Sequence, residues 1–198
     1  AALRLRRSSA FMALALPFSD AYLLARVHET MAAHDATEYL HEAYIRILVT
    51  RGVGELSYSL SATPTPTLVI IVKPYTPPPA RTFADGIRLA LVEVRRNHPD
   101  ALNPAMKSNN LLNNALAMQE ARRRGGEEAL MCNYRGELSE CAQSNFFLVR
   151  DGVALTPRSA SGLLEGLTRA FLFEVGGEVG VRVEEATLTP ADLTSAQE

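Results

Sequence analysis

The chain has no tryptophan and only two cysteines, Cys132 and Cys141, among 198 residues. Two thiols make no disulfide framework, so the fold must rest on an apolar core, and reduced thiols in a cytoplasmic protein are the expected state. No apolar run approaches the roughly 18 residues of a membrane-spanning helix; TLVIIV has the length of a buried strand, so no membrane partner is expected. Neither charge sign is in excess: 20 Lys and Arg face 22 Asp and Glu, for a net charge of −2. With no dense basic cluster, a nucleic-acid partner is not expected either. The four histidines, His28, His34, His41 and His98, do not stand at ligand spacing with cysteines or acids, so no metal site is expected. Nucleophile-elbow and phosphate-loop motifs are missing, and no signal-peptide pattern is seen. Residue 1 is an alanine inside an apparent helix, and TPADLTSAQE stops as another begins, so both ends are expected to be incomplete.

What is present is a composition suited to a core: 47% hydrophobic and 21% charged residues, usual for a globular chain. Two helices fill the first 35 residues, parted by Pro17, with Ser19 or Asp20 capping the second, which runs over 21–34. HEAYIRILVT alternates as a strand with Ile45, Ile47 and Val49 on one face; RGVG turns, and TLVIIVK reads as a second, fully buried strand. KPYTPPPARTF cannot be helix or central strand at its three prolines, which predicts a linker over 76–82 between an N-terminal α/β domain, 1–75, and a larger domain, 83–198. There IRLALVEVRR reads as a strand, and 110–124 as an amphipathic helix with Leu111, Leu112, Ala115, Leu116 and Met118 at helical spacing, stopped by Gly125-Gly126. Two hairpins follow, EEALMCN-YRGE-LSECA and SNFFLV-RDG-VALTP. A helix then begins after Gly166 and ends at Gly176-Gly177. VRVEEATL is a further strand, and Thr189-Pro190 looks like a helix start.

Lys107 follows the apolar stretch Pro104-Ala105-Met106. An amine at a core edge can serve as a nucleophile toward an aldehyde; the alternative is a solvated helix-flanking charge. Glu140 lies on a strand between Ser139 and Cys141, and a buried carboxylate needs a partner. A protonated pyridine nitrogen is one, and Arg135 across the hairpin is the other. In SGLLEGLTRA, the glycines, the helix start and Thr168 can make an anion site or a simple capped helix. Arg51, beside two glycines, can fork onto a carboxylate or sit in solvent. Tyr44 and Arg46 share one strand face, lining a pocket or facing water.

Together the runs RLRRSS, AYIRILVTRG, KSNNLLNNALAMQEA, EEALMCNYRGELSECAQSNFFLV and LTPRSASGLLEGLTRAFL, in this order and across nearly the whole chain, resemble the class IV pyridoxal-phosphate aminotransferases. That family includes branched-chain amino acid aminotransferases, D-amino acid aminotransferases and aminodeoxychorismate lyases. The resemblance implies a two-domain α/β (α+β) fold of type IV with the cofactor between the domains, and a homodimer in which a partner-chain loop reaches each site. It implies pyridoxal 5'-phosphate as cofactor and amino acids and 2-oxo acids as substrates. Lys107 would bond the cofactor aldehyde and carry the proton. Glu140 would pair with the ring nitrogen, and Leu164 would pack on the ring. Ser144 and Asn145 would line the pocket, and Arg4, Leu167 and Thr168 would hold the phosphate. Tyr44 and Arg46 match a carboxylate-binding pair of branched-chain enzymes, and Arg51 matches the carboxylate-binding arginine of D-amino acid enzymes. Leu112 stands where branched-chain enzymes often carry tyrosine, as in the D-amino acid branch. The expected activity is amino-group transfer from a branched-chain amino acid to a 2-oxo acid such as 2-oxoglutarate. The alternatives are D-amino acid transfer, pyruvate release from aminodeoxychorismate, and a non-catalytic fragment.

Overall fold

The computed structural model describes residues 1–35, 42–63 and 65–198. They gather into two compact units, residues 2–80 and 81–198.

In the first unit, α1 (Ala2–Phe11) and α2 (Asp20–Asp35) flank Pro17. The Ser19 hydroxyl accepts the Tyr22 N–H at 3.1 Å, an N-cap contact that satisfies an orphan donor at the start of α2. Arg6 donates its Nε–H to Asp20 at 2.7 Å, tying the two helices together. Leu14, Leu23 and Val27 form the buried apolar part. Strands β1 (Ala43–Thr50) and β2 (Thr67–Pro74) pair antiparallel from Ala43↔Pro74 to Thr50↔Thr67, and α2 packs on β2. His41, at the head of the expected strand, lies outside the described residues. The expectation of a fully buried TLVIIVK is corrected: β2 is half-buried, and Ile71 is exposed. The sheet has two strands among the described residues. Pro77–Pro79 carry no regular structure, and α3 (Ala80–Ala84) starts directly after them.

The second unit holds two three-stranded sheets. In one, β3 (Leu89–Leu91) runs parallel to β4 (Glu128–Cys132), which pairs antiparallel with β5 (Leu138–Cys141). The crossover from β3 to β4 is α4 (Leu112–Arg123), since parallel neighbours need a long connection. In the other, β6 (Leu148–Arg150) pairs antiparallel with β7 (Val153–Pro157), which runs parallel to β8 (Arg182–Ala186) after the crossover helix α5 (Leu167–Val179). Strand β4 is buried on both faces. Leu130 and Cys132 point into a core with Leu138, Phe146, Leu148, Leu155 and Leu188. Ala129 and Met131 point into another with Val92, Ala117, Ala121 and Ala142. No helix of the described residues is long and apolar enough to cross a membrane.

Four expectations change in this unit. Strand β3 is shorter than IRLALVEVRR because Glu120 of α4 takes the N–H groups of Glu93 (2.8 Å) and Val94 (3.1 Å), which removes them from the ladder. The buried face of α4 is Ala117 and Ala121; Leu111, Leu112 and Leu116 are exposed, because small residues let the helix approach the sheet closely. Helix α5 runs through Gly176-Gly177 and ends at Gly180, in the left-handed region at φ +74. At Gly176 a Cβ would lie 2.7 Å from both Val181 O and Val183 Cγ2, so the bare backbone admits β8. The segment after Thr189 is a 3-10 turn, Pro190–Thr194, closed by a capping box with Asp192.

Candidate active site

Glu140 sits on β5, 4% exposed. The segment after β3, the loop after β5 and the turn before α5 each bring it a donor. Arg96 gives its Nε–H to Oε1 at 2.7 Å. Leu164 gives its backbone N–H to Oε2 at 3.0 Å, and Asn145 reaches the same oxygen with Nδ2 at 3.3 Å. Asn145 also donates to the Leu164 carbonyl at 2.8 Å. Burial pushes the Glu140 carboxyl above its ordinary range, while Arg96, the Leu164 N–H and the charge of Lys107 pull it back down. A desolvated carboxyl held by such donors is a place where a further buried cation would find a partner.

Arg135, the alternative partner for Glu140, does not serve it. It pairs with Glu137 within the turn (Nε 2.9 Å, Nη2 2.6 Å). The residue that sequence reasoning missed is Arg96. It is as buried as Glu140, with side chains 8% and 5% exposed, and Asn113 of α4 accepts its Nη1–H at 2.9 Å. The available signal was the pair Arg95-Arg96 closing an apolar run, where alternation sends one of two adjacent side chains inward.

Around Glu140, Lys107 stands exposed in the loop before α4, close enough for its charge to act on the carboxylate. Ser144 is exposed and bonds Cys141 through its backbone carbonyl, which accepts the Cys141 N–H at 2.9 Å. Leu167 and Thr168 open α5, both exposed; their N-cap is Gly166, which offers no side-chain cap. The first-turn N–H groups there are available to an anion. A Cβ on Gly166 would fall 2.1 Å from Asn145 Oδ1, so the glycine is what lets Asn145 take its place. The structure thus brings Glu140, Asn145, Leu164 and Lys107 together in one unit, with Ser144, Leu167 and Thr168 on the same unit.

The other candidates belong to the first unit. Arg4 lies half-buried on α1, and burial lowers the proton affinity of its guanidinium. Tyr44 and Arg46 lie exposed on β1, and the Lys73 ammonium stands 4.9 Å from the Tyr44 ring centre. Arg51 donates to the carbonyls of Met12 and Ala13 just past the end of α1, the latter at 3.4 Å, a favourable place for a cation near a helix C-terminus.

The model of the class IV amino-transferases matches residues 2–198. A Methanocaldococcus jannaschii protein provisionally named a branched-chain-amino-acid aminotransferase is 36% identical over 195 residues, 98% of this chain and 65% of that protein. The branched-chain aminotransferase of Thermoproteus uzoniensis, crystallised with norvaline, superposes with a TM-score of 0.88 at 30% identity, over 98% of this chain and 64% of that one. The branched-chain amino acid aminotransferase of Thermobaculum terrenum, solved in its PLP form, gives 0.83 at 28%, over 98% and 62%. The chain spans just under two thirds of the length of each of these relatives. With its mixed α/β fold, the chain belongs to the class IV amino-transferase family.

Proposed function

We propose that the protein is a pyridoxal-phosphate-dependent aminotransferase, moving the amino group of a branched-chain amino acid to a 2-oxo acid such as 2-oxoglutarate. The observation that carries this reading is Glu140: a buried carboxylate, anchored by three donors and acted on by the charge of Lys107, in a chain of this family. The donor set fits a phosphorylated pyridine aldehyde. Lys107 would bond its aldehyde carbon, Glu140 would hold the ring-nitrogen proton, and Leu167 and Thr168 at the start of α5, with Arg4, would hold the phosphate. The bound cofactor supplies an electron-accepting ring.

The protein's own groups do the rest. Once the substrate amine has taken its place on the aldehyde carbon, the freed Lys107 Nζ would take the proton from the substrate Cα and hand it back, as a general base and then acid. Glu140 would keep a proton at the ring nitrogen. Leu164 would pack on the ring, and Ser144 and Asn145 would line its pocket. Tyr44 and Arg46 bind the substrate carboxylate, with Arg51 as the further arginine. Homodimeric assembly fits the bare side chains of Leu56 and Tyr58, which are wholly exposed in the single chain. Residence in the cytoplasm fits two free, buried thiols.

The test is amino transfer from L-leucine to 2-oxoglutarate, with D-leucine and aminodeoxychorismate as competing substrates, for the chain and for Lys107→Ala. Glutamate formation with the L-enantiomer, and its loss in Lys107→Ala, is expected. Cofactor uptake unchanged in Lys107→Ala, with transfer intact, would overturn the assignment of Lys107 as the amine that bonds the cofactor and moves the proton.

A further inference from the structure

The chain buries one arginine whose guanidinium touches the carboxylate just assigned to the ring nitrogen, and neither the family match nor the motifs give that arginine a task. Arg96 is fixed from three sides. Its backbone N–H donates to the Cys132 carbonyl at 2.9 Å. Its Nη1–H goes to Asn113 Oδ1 at 2.9 Å. Its Nε–H goes to Glu140 Oε1 at 2.7 Å. Asn113 is itself held, donating Nδ2–H to the Arg95 carbonyl at 2.8 Å and accepting the Asn97 N–H at 3.3 Å. A chain of hydrogen bonds thus runs from the first turn of α4 to the carboxylate.

We infer that Arg96 is the positioning residue for Glu140, locking the carboxylate rotamer through Oε1 and setting which partner keeps the shared proton when a pyridine nitrogen docks. The inference rests on the pyridoxal-phosphate reading of the site. The physical reason is competition for one proton. A buried carboxyl without a cation takes up a proton and becomes a neutral neighbour. A carboxylate already bonded to a guanidinium is a poor base, so the proton stays on the ring nitrogen, where it is needed for the ring to draw electrons. Oε2, bonded by the Leu164 N–H and Asn145, is oriented by the same lock.

Among the described residues, the charged or titratable groups acting on Glu140 are Arg96 and Lys107, and the Cys141 thiol beside it. Removing Arg96 leaves the distal Lys107 charge against full burial. Glu140 then titrates from a higher folded-state value. A carboxyl raised in the folded state contributes stability that is present at low pH and lost as pH rises through that value. The loss caused by removing Arg96 is therefore largest at neutral pH and shrinks on acidification.

The test compares wild type, Arg96→Met, Arg96→Lys and the double variant Arg96→Met/Glu140→Gln on the full chain. One arm measures the Kd of pyridoxal phosphate and of an analogue with C–H in place of the ring nitrogen. Wild type is expected to prefer the nitrogen compound. Arg96→Met is expected to narrow that preference about tenfold, with partial rescue in Arg96→Lys. The other arm needs no cofactor: the Tm deficit of Arg96→Met should shrink between about pH 7.5 and about pH 5 and lose its pH dependence in the double variant. Where Arg96→Met is too unstable to purify, Arg96→Gln, which keeps a donor without the charge, carries both arms. An unchanged preference together with a pH-independent deficit overturns the inference. If wild type binds neither compound, the cofactor reading fails, and the cofactor-free arm still decides whether Arg96 holds Glu140 ionised.

Discussion

The backbone N–H of Leu164 meets the carboxylate of Glu140 at 3.0 Å across 24 residues of chain. This single contact fastens the turn before α5 to the end of β5, so the start of that helix and the acidic strand share one reference point. It also makes Glu140 an acceptor for donors from three separate segments, since Arg96 and Asn145 end on the same group.

Glu140→Leu should therefore cost about 3–5 kcal/mol of stability, the range for stripping one partner from a buried ion pair. The greater part is the charge of Arg96 left in the core. Adding Arg96→Met should recover a portion, since neither charge is then stranded. Urea midpoints of the two single variants and the double variant measure this. A Glu140→Leu chain within about 1 kcal/mol of wild type would show that the pair is solvated after all.

The α4 helix separates pattern from packing. Leu112 and Leu116 gave the helix its apparent apolar stripe, yet they are 65% and 45% exposed, while Ala117 and Ala121 are fully buried. Ala121→Leu should destabilise by about 1–3 kcal/mol through overpacking against the sheet. Leu112→Ala should stay within about 0.5 kcal/mol in the monomer. The same denaturation series checks both, and the reverse ranking would mean that the helix turns its leucines inward.

Strong local chemistry was legible in the sequence. Pro17 and Ser19 marked the start of α2, Gly125-Gly126 stopped α4, and Asp151-Gly152 turned the second hairpin, where both residues hold positive φ. The ordered motifs gave the family and its mixed α/β fold. What sequence spacing did not carry was partnership over long separations. Nothing in VEVRR says which of two arginines faces inward, or that its partner stands 44 residues later. Glu120 was equally silent, because a carboxylate at helical spacing looks solvated until a backbone edge is brought to it. Burial of β2 was overestimated because apolar content does not reveal whether a sheet has a second layer or a third strand.

The two thiols offer a probe of the core. Burial, helped by the nearby Glu128 charge, pushes Cys141 up to about 12, and burial raises Cys132 as well. Because only the thiolate reacts, the folded chain should show neither thiol to a disulfide reagent at neutral pH, and both on addition of denaturant. Fast labelling of either thiol under native conditions would mean that the core around β4 and β5 opens easily.

One glycine at the start of α5 and one within it should respond in opposite ways to the same methyl group. At Gly166 the added Cβ would meet Asn145 Oδ1 at 2.1 Å, and the φ of −67 is open to any residue, so the penalty is steric alone. Gly166→Ala should displace Asn145 from Glu140 and Leu164, disturb the α5 N-terminus and weaken pyridoxal-phosphate binding by about tenfold, the worth of one charge-assisted hydrogen bond. At Gly177 nothing lies within 4 Å of the added atom. There, mid-helix, Gly177→Ala should raise stability by about 0.5–1 kcal/mol and leave the cofactor Kd unchanged. A fluorescence titration and a thermal melt on each variant separate the two effects. If Gly166→Ala binds the cofactor as wild type does, the start of α5 holds no phosphate and the anion must be held elsewhere.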